Sequence, residues 1–123
     1  MNKMDIDLFS YIRDTDYALS ARFSLATLEN ITGANFEKYG AIAKVRFYLH
    51  APDGLHQRNY AYHFDKFGNS TENRKILNDS DTYAHIVDSN PNYQKVEKDL
   101  SEAICAIIAL AVKKHFADEA TEN

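Results

Sequence analysis

The sequence predicts an α+β fold: a small antiparallel sheet built around a central β-hairpin, packed against an N-terminal helix and a long apolar C-terminal helix. The hairpin is indicated by alternating apolar and polar residues over about 42–50, a Pro-Asp-Gly turn, and an aromatic-rich segment over about 55–64. The C-terminal helix, over about 91–116, is indicated by Asn90 as a cap and Pro91 in the first helical position.

The N-terminal segment admits two secondary structures. Residues 5 to 32 contain neither glycine nor proline and end before Gly33, which can terminate a helix, so a helix is the first expectation. However, apolar residues stand at every second position from Tyr17 to Leu25, which is the pattern of a half-buried strand. Both interpretations remain open for residues 16–25.

The hairpin register decides which side chains share a face of the sheet. If Pro52-Asp53-Gly54 forms a three-residue loop, Ala51 pairs with Leu55 and the two nearest histidines lie opposite each other. Apart from its inner end, where Ile42 lies opposite Phe64, one face then carries only cations, tyrosines and histidines. These residues are Lys44, Arg46, Tyr48, His50, His56, Arg58, Tyr60 and Tyr62. A slip of one residue is the alternative, and it would turn the tyrosines of the second strand into the core and its Gln and Asn outward.

The C-terminal helix is apolar on every side over its second half. Residues 103–112 contain only Ala, Ile, Cys, Leu and Val, and a helix that is apolar all round has to be buried all round. It is buried either in the core of the domain or against a second copy of the chain, so a homodimer is expected. The residues assigned to this burial or self-association are Ile104, Ile107, Ile108 and Leu110.

Composition and charge exclude several classes of protein. The net charge of −4 argues against general attraction to nucleic acid or to an anionic membrane, so any basic site has to be local. No apolar run approaches the ~20 residues of a membrane span. With one cysteine and no apolar signal segment, the sequence indicates a single cytoplasmic domain over 1–123, with 118–123 as a frayed polar tail.

The sequence contains no common catalytic or cofactor-binding motif. A Gly-rich phosphate loop, Gly-x-Ser-x-Gly, His-Glu-x-x-His and Cys-x-x-Cys are all absent, so no cofactor and no metal site are predicted. Cys105 stands among Ala, Ile and Leu. It is therefore expected to be a buried structural thiol and not a nucleophile.

Cations interleaved with tyrosine rings suit an anion that carries planar groups. The sequence therefore favours a non-catalytic binding protein of the inhibitor, immunity or accessory type. Its expected ligand is an anionic small molecule such as a nucleotide, a single-stranded nucleic acid or an acidic protein surface.

Two other functions remain open on sequence grounds. The first is a metal-independent nuclease or phosphodiesterase in which His50 and His56 act as acid and base and Arg58 or Arg46 stabilises the developing charge. The second is a self-assembling structural subunit that associates through the C-terminal helix.

Overall fold

The computed structural model describes residues 5–24, 41–64 and 70–121. Within these residues, five strands form one antiparallel sheet in the order β1-β2-β3-β4-β5. The strands are β1 (Asp5–Tyr11), β2 (Ala18–Ser24), β3 (Ala41–Ala51), β4 (Gly54–Phe64) and β5 (Ser70–Asp79). Two helices follow, α1 (Asp81–Asp88) and α2 (Pro91–Thr121). The predicted α+β fold, with its central hairpin and long C-terminal helix, is confirmed.

The N-terminal segment forms strands and not the predicted helix over residues 5–11 and 18–24. The absence of Gly and Pro permits a helix, but it does not favour one over a strand that has partners on both sides. The period-2 pattern is the better guide, because alternate residues of β2 belong to the hydrophobic core. These residues are Leu19, Ala21 and Phe23. The rest of the predicted helix, residues 25–32, lies outside the described residues.

The central hairpin turns through two residues, Pro52 and Asp53, and Ala51 pairs with Gly54. Gly54 has a φ of 134°, a backbone conformation that favours glycine. The predicted three-residue loop and its register are therefore wrong. The second strand is displaced by one residue, which is the alternative register.

Burial explains why this register is the stable one. It places Tyr60, Tyr62 and Phe64 on the side of the sheet that meets the helices, where all three are buried. Gln57 and Asn59 lie on the other side. Burying one large apolar side chain contributes about 1.5–3 kcal/mol. The register that buries three rings and keeps two amides out of the core is therefore more stable than the other register.

The core lies between one face of the sheet and the two helices. Helix α1 packs against α2 and β4, and α2 also packs across β1 and β2. We call the side of the sheet that meets the helices the covered face, and the opposite side the open face. The helices contribute Tyr83, Val87, Leu100, Ile104 and Ile108 to the core.

Helix α2 begins at Pro91 as predicted and continues to Thr121, beyond the predicted end. Residues 118–121, expected to be a frayed tail, are therefore helical, and 122–123 lie outside the described residues. None of the helices in the described part of the chain is long and apolar enough to cross a membrane.

The apolar half of α2 is not buried on every side, contrary to expectation. Ile104 and Ile108 are fully buried, and they lie one helical turn apart on the stripe that faces the sheet. Ile107 is partly buried, and Leu110 is 68% exposed. Two of the four residues assigned to self-association are thus core residues, and the other two lie away from the core.

Candidate functional site

The open face is a grid of side chains contributed by alternate residues of strands β1 to β4. Pairing across the strands aligns one row that consists of Phe9, Ser20, Tyr48 and Gln57. The next row, two residues along each strand, consists of Asp7, Arg22, Arg46 and Asn59. Lys44 and Lys75 flank Ala61 in the row beyond. Aromatic residues therefore border cationic residues on one surface.

One end of the open face is aromatic and accessible. Phe9 and Tyr11 are 49% and 80% exposed, and their rings meet edge to face with centroids 4.9 Å apart. The Phe9 ring also meets the His50 ring at 5.0 Å. A hydrogen bond of 2.8 Å joins the His50 imidazole to the Ser20 hydroxyl and orients it. We call Phe9, Tyr11, Tyr48 and His50 the aromatic end.

The other end of the open face is cationic. Arg22 forms a 3.0 Å salt bridge with Asp7, and its guanidinium lies 6.0 Å from the centroid of the Tyr48 ring. Lys44, Arg46 and Lys75 are exposed. None of these three forms a salt bridge within the part of the chain that the structure describes. This end is locally positive although the net charge of the chain is −4. We call Arg22, Lys44, Arg46 and Lys75 the cationic end.

The covered face holds a cation in place of an apolar residue. Arg58 is only 2% exposed. Its Nε and Nη2 donate to the Asp79 carboxylate at 2.8 and 3.0 Å, and its Nη1 and Nη2 donate to the Asp88 carboxylate at 3.1 and 2.7 Å. Nη1 also donates to the Tyr60 hydroxyl at 2.9 Å. Two forked ion pairs therefore join β4 to β5 and to the end of α1.

Glu97 of α2 is the acceptor at the centre of the same region and is 4% exposed. It accepts hydrogen bonds from the Tyr83 hydroxyl at 2.6 Å and from the Tyr60 hydroxyl at 2.9 Å. Arg74 Nη2 donates to it at 3.1 Å and Arg58 Nη1 at 3.5 Å. These residues form one buried ionic cluster, which consists of Arg58, Tyr60, Arg74, Asp79, Tyr83, Asp88 and Glu97.

Three residues of the cluster have pKa values above the ordinary values of their side chains. Burial alone would lower the pKa of Arg58, but the hydrogen bonds to Asp88 and Asp79 outweigh it and raise that pKa. Burial raises the pKa of Tyr83 and of Tyr60, and the negative charge of Glu97 raises both further. The Arg58 guanidinium therefore stays charged, and the two phenols stay neutral and donate hydrogen bonds. The cluster thus holds β4, β5, α1 and α2 together.

The structure divides the predicted ligand-binding residues between the two faces. Lys44, Arg46, Tyr48 and His50 lie on the open face. Arg58, Tyr60 and Tyr62 lie on the covered face and are buried. The predicted single face of eight residues is therefore not present, because the second strand is displaced by one residue.

The predicted pair of catalytic histidines is not brought together. His50 pairs with Leu55 on the open face, whereas His56 pairs with Leu49 on the covered side. The His56 imidazole is hydrogen-bonded to the Asp53 carboxylate at 3.0 Å. Arg58, assigned to charge stabilisation in that hypothesis, uses its donors inside the buried ionic cluster. The geometry on which the nuclease hypothesis depended is thus absent.

Several residues of both regions were missed in the sequence. Phe9 and Arg22 are not predicted, because a helix is the first expectation for the N-terminal segment and the strand alternative for residues 16–25 specifies no partner strand. Glu97 had a detectable signal, since it lies one turn before Leu100 on the apolar stripe of α2 that continues through Ile104. A carboxylate on such a stripe predicts a buried partner of opposite charge.

The single cysteine is partly buried and packs against the core. Burial raises the pKa of the Cys105 thiol, which disfavours the nucleophilic thiolate. Among the residues that the structure describes, no group of three or more His, Cys, Asp or Glu side chains could hold a metal ion.

Comparison with known proteins adds no assignment to either region. The open face and the buried ionic cluster are therefore interpreted from their own geometry and charge. No protein-family model matches the chain, no curated protein is significantly similar to it, and no solved structure matches it.

Proposed function

We propose that this chain is a non-catalytic binding protein that recognises an anionic partner through the open face. The observation that carries the proposal is the exposure of Lys44, Arg46 and Lys75 on this face. None of the three forms a salt bridge within the described residues, whereas Arg22, directly opposite Arg46, is paired with Asp7. An anion bound over these cations would neutralise their charge.

The exposed rings of the aromatic end supply the second element of recognition. Aromatic side chains are enriched in binding surfaces because they offer a large rigid contact area at a low cost in conformational entropy. Phe9 and Tyr11 present such area beside the cations. The partner is therefore expected to carry negative charge together with planar or apolar groups. An inhibitor, immunity or accessory protein would use a surface of this kind.

Charge reversal with a matched control tests the proposal. The double variant Lys44→Glu/Arg46→Glu reverses two exposed cations of the open face, and Lys95→Glu/Lys98→Glu reverses two exposed cations of α2. Both variants change the net charge equally. Fluorescence anisotropy with labelled oligothymidylate, oligoglutamate and ATP measures binding at low salt.

We expect at least one probe to bind the wild type and the α2 variant, and to bind the open-face variant about tenfold or more weakly. If no probe binds the wild type, or if the two variants lose binding equally, the proposal is wrong.

Self-association is a second candidate role, and the exposure of Leu110 favours it. Together with the partly buried Ile107 and the exposed Ala103 and Ala106, Leu110 forms an apolar strip on the side of α2 away from the core. We propose that a second copy of the chain covers this strip, as in a symmetric dimer.

A further inference from the structure

We infer that the anionic partner is a single-stranded nucleic acid, with its bases on the aromatic end and its phosphates on the cationic end. The inference rests on the proposed function of the open face and names the chemistry of its partner. It depends on how the rings, the cations and the neighbouring amides are placed relative to one another.

The rings of Phe9 and Tyr48 lie far enough apart for each to stack with a different base. Phe9 and Tyr48 lie in one row with Ser20 between them, which separates their strands by about 10 Å because neighbouring strands are ~4.8 Å apart. Ser20 between them is small and buried, whereas Phe9 is 49% exposed and Tyr48 is partly exposed. Two unpaired bases can therefore stack on these rings, one on each, without any movement of the β-strands.

The cations lie at the distance at which the backbone of a stacked nucleotide would pass. Arg46 is two residues from Tyr48 on β3, about 7 Å along the strand, and Arg22 lies beside Arg46. Lys44 is two residues further in the same direction. A nucleotide whose base stacks on Tyr48 would therefore place its phosphate near Arg46, with Lys44 and Arg22 beside it. Below Phe9 the corresponding residue is Asp7, which is paired with Arg22.

Amide groups border both sets. Gln57 lies beside Tyr48, and Asn59 lies beside Arg46. Gln57 Nε2 donates to Asn59 Oδ1 at 2.7 Å, which orients both amides and does not use Gln57 Oε1 or Asn59 Nδ2. Oriented amides can hydrogen-bond the edges of bases that stack beside them, as in the recognition of unpaired nucleotides.

The rings distinguish a single strand from other polyanions. In a duplex the base faces are stacked inside the helix, so the rings of the open face could not stack on them and the cations would meet the phosphates only. An acidic peptide would engage the cations, but it brings no planar groups for the rings. Dependence of binding on both the rings and the cations therefore distinguishes an unpaired nucleic acid from a duplex and from an acidic peptide without aromatic residues.

The experiment measures anisotropy of labelled oligothymidylate, a duplex of equal length and an oligoglutamate peptide at several salt concentrations. Phe9→Leu keeps an apolar side chain and removes the ring. Lys44→Gln/Arg46→Gln removes two cations, and Lys95→Gln/Lys98→Gln is its matched control on α2. Urea denaturation of every variant verifies that each one is folded.

We expect Phe9→Leu to weaken oligothymidylate binding about 5-fold or more without changing its salt dependence. Lys44→Gln/Arg46→Gln should make the slope of log K against log salt shallower by about 0.7 per cation, and the control should change neither. Oligoglutamate that binds through the cations, with no binding of oligothymidylate, would overturn this inference and leave the proposed function standing. Duplex binding as tight as single-strand binding, unaffected by Phe9→Leu, would also overturn it. If no probe binds at all, both proposals fail.

Discussion

The Tyr83 hydroxyl donates a hydrogen bond of 2.6 Å to the Glu97 carboxylate and so joins α1 to α2 inside the buried ionic cluster. Glu97 in turn contacts Arg74 of β5 and Tyr60 of β4. Four elements are thereby held in one arrangement on the covered face. β4 and β5 also contribute Gln57, Asn59 and Lys75 to the open face, so the cluster fixes one side of the surface that we propose for binding.

Replacement of Arg58 should destabilise the fold, whereas replacement of Arg46 should not. Arg58→Met removes the hydrogen bonds to Tyr60 and Glu97 and takes the cation away from the partly exposed carboxylates of Asp79 and Asp88. Loss of hydrogen bonds to charged groups should cost about 1.5–3 kcal/mol. Arg46 is exposed, so Arg46→Met should change the free energy of unfolding by less than about 0.5 kcal/mol. Urea denaturation measures both, and equal effects would show that the assignment of faces is wrong.

The hydrogen bond between Tyr83 and Glu97 should depend on the charge of Glu97. Tyr83→Phe leaves a buried acceptor with one donor fewer, which should cost about 1–3 kcal/mol. In a Glu97→Gln background the same substitution should cost less, because a charge-assisted hydrogen bond has already been lost. A double-mutant cycle in urea measures the coupling. Strict additivity would mean that the two side chains do not interact energetically.

Alkaline pH should unfold the protein through its buried phenols. Burial and the charge of Glu97 raise the pKa of Tyr83 and Tyr60 in the folded state, while the unfolded chain ionises its tyrosines near the ordinary value of about 10. The stabilisation that these neutral phenols provide is therefore fully present below about pH 10 and declines as the pH rises further.

The measurement combines circular dichroism with tyrosinate absorbance during a titration to high pH. The cooperative loss of structure should coincide with a late phase of tyrosine ionisation, and the Tyr83→Phe variant should show a smaller late phase. Ionisation of every tyrosine near pH 10 in a protein that stays folded would contradict the buried cluster.

Apolar residues of α2 should differ sharply in how much they contribute to the free energy of unfolding. Ile104→Ala should cost about 2–5 kcal/mol, because it opens a cavity in a packed core. Leu110→Ala should cost less than about 0.5 kcal/mol in the monomer, since its side chain is mostly exposed. Thermal unfolding at low protein concentration measures both variants.

Self-association should depend on Ile107 and Leu110. Light scattering at high protein concentration should return twice the chain mass of 14.0 kDa for the wild type. Ile107→Asp/Leu110→Asp should return the single-chain mass while keeping its helical circular dichroism signal. A wild type of 14.0 kDa at high micromolar concentration would contradict the dimer.

The elements with strong local signals were predictable from the sequence. The alternation of β3 and the proline that begins α2, Pro91, specify these elements locally, because side-chain periodicity and backbone preference act within a few residues. The open-face placement of Lys44, Arg46, Tyr48 and His50 also followed from the alternation of β3 alone, since alternate residues of one strand share a face in any register.

The remaining features of the open face and of the buried ionic cluster were decided only by the tertiary structure. β2 is a strand because β1 and β3 supply hydrogen-bonding partners, although its local composition also permits a helix. Arg58 faces inward because the two-residue turn sets a register that also buries Tyr60 and Tyr62, which are hydrogen-bonded to Glu97 and Ser101 of α2. The physical reason is that a shift of one residue moves every side chain of a strand to the opposite face. The register of β4 therefore depends on which of its side chains the helices, distant in sequence, can bury or pair with opposite charge.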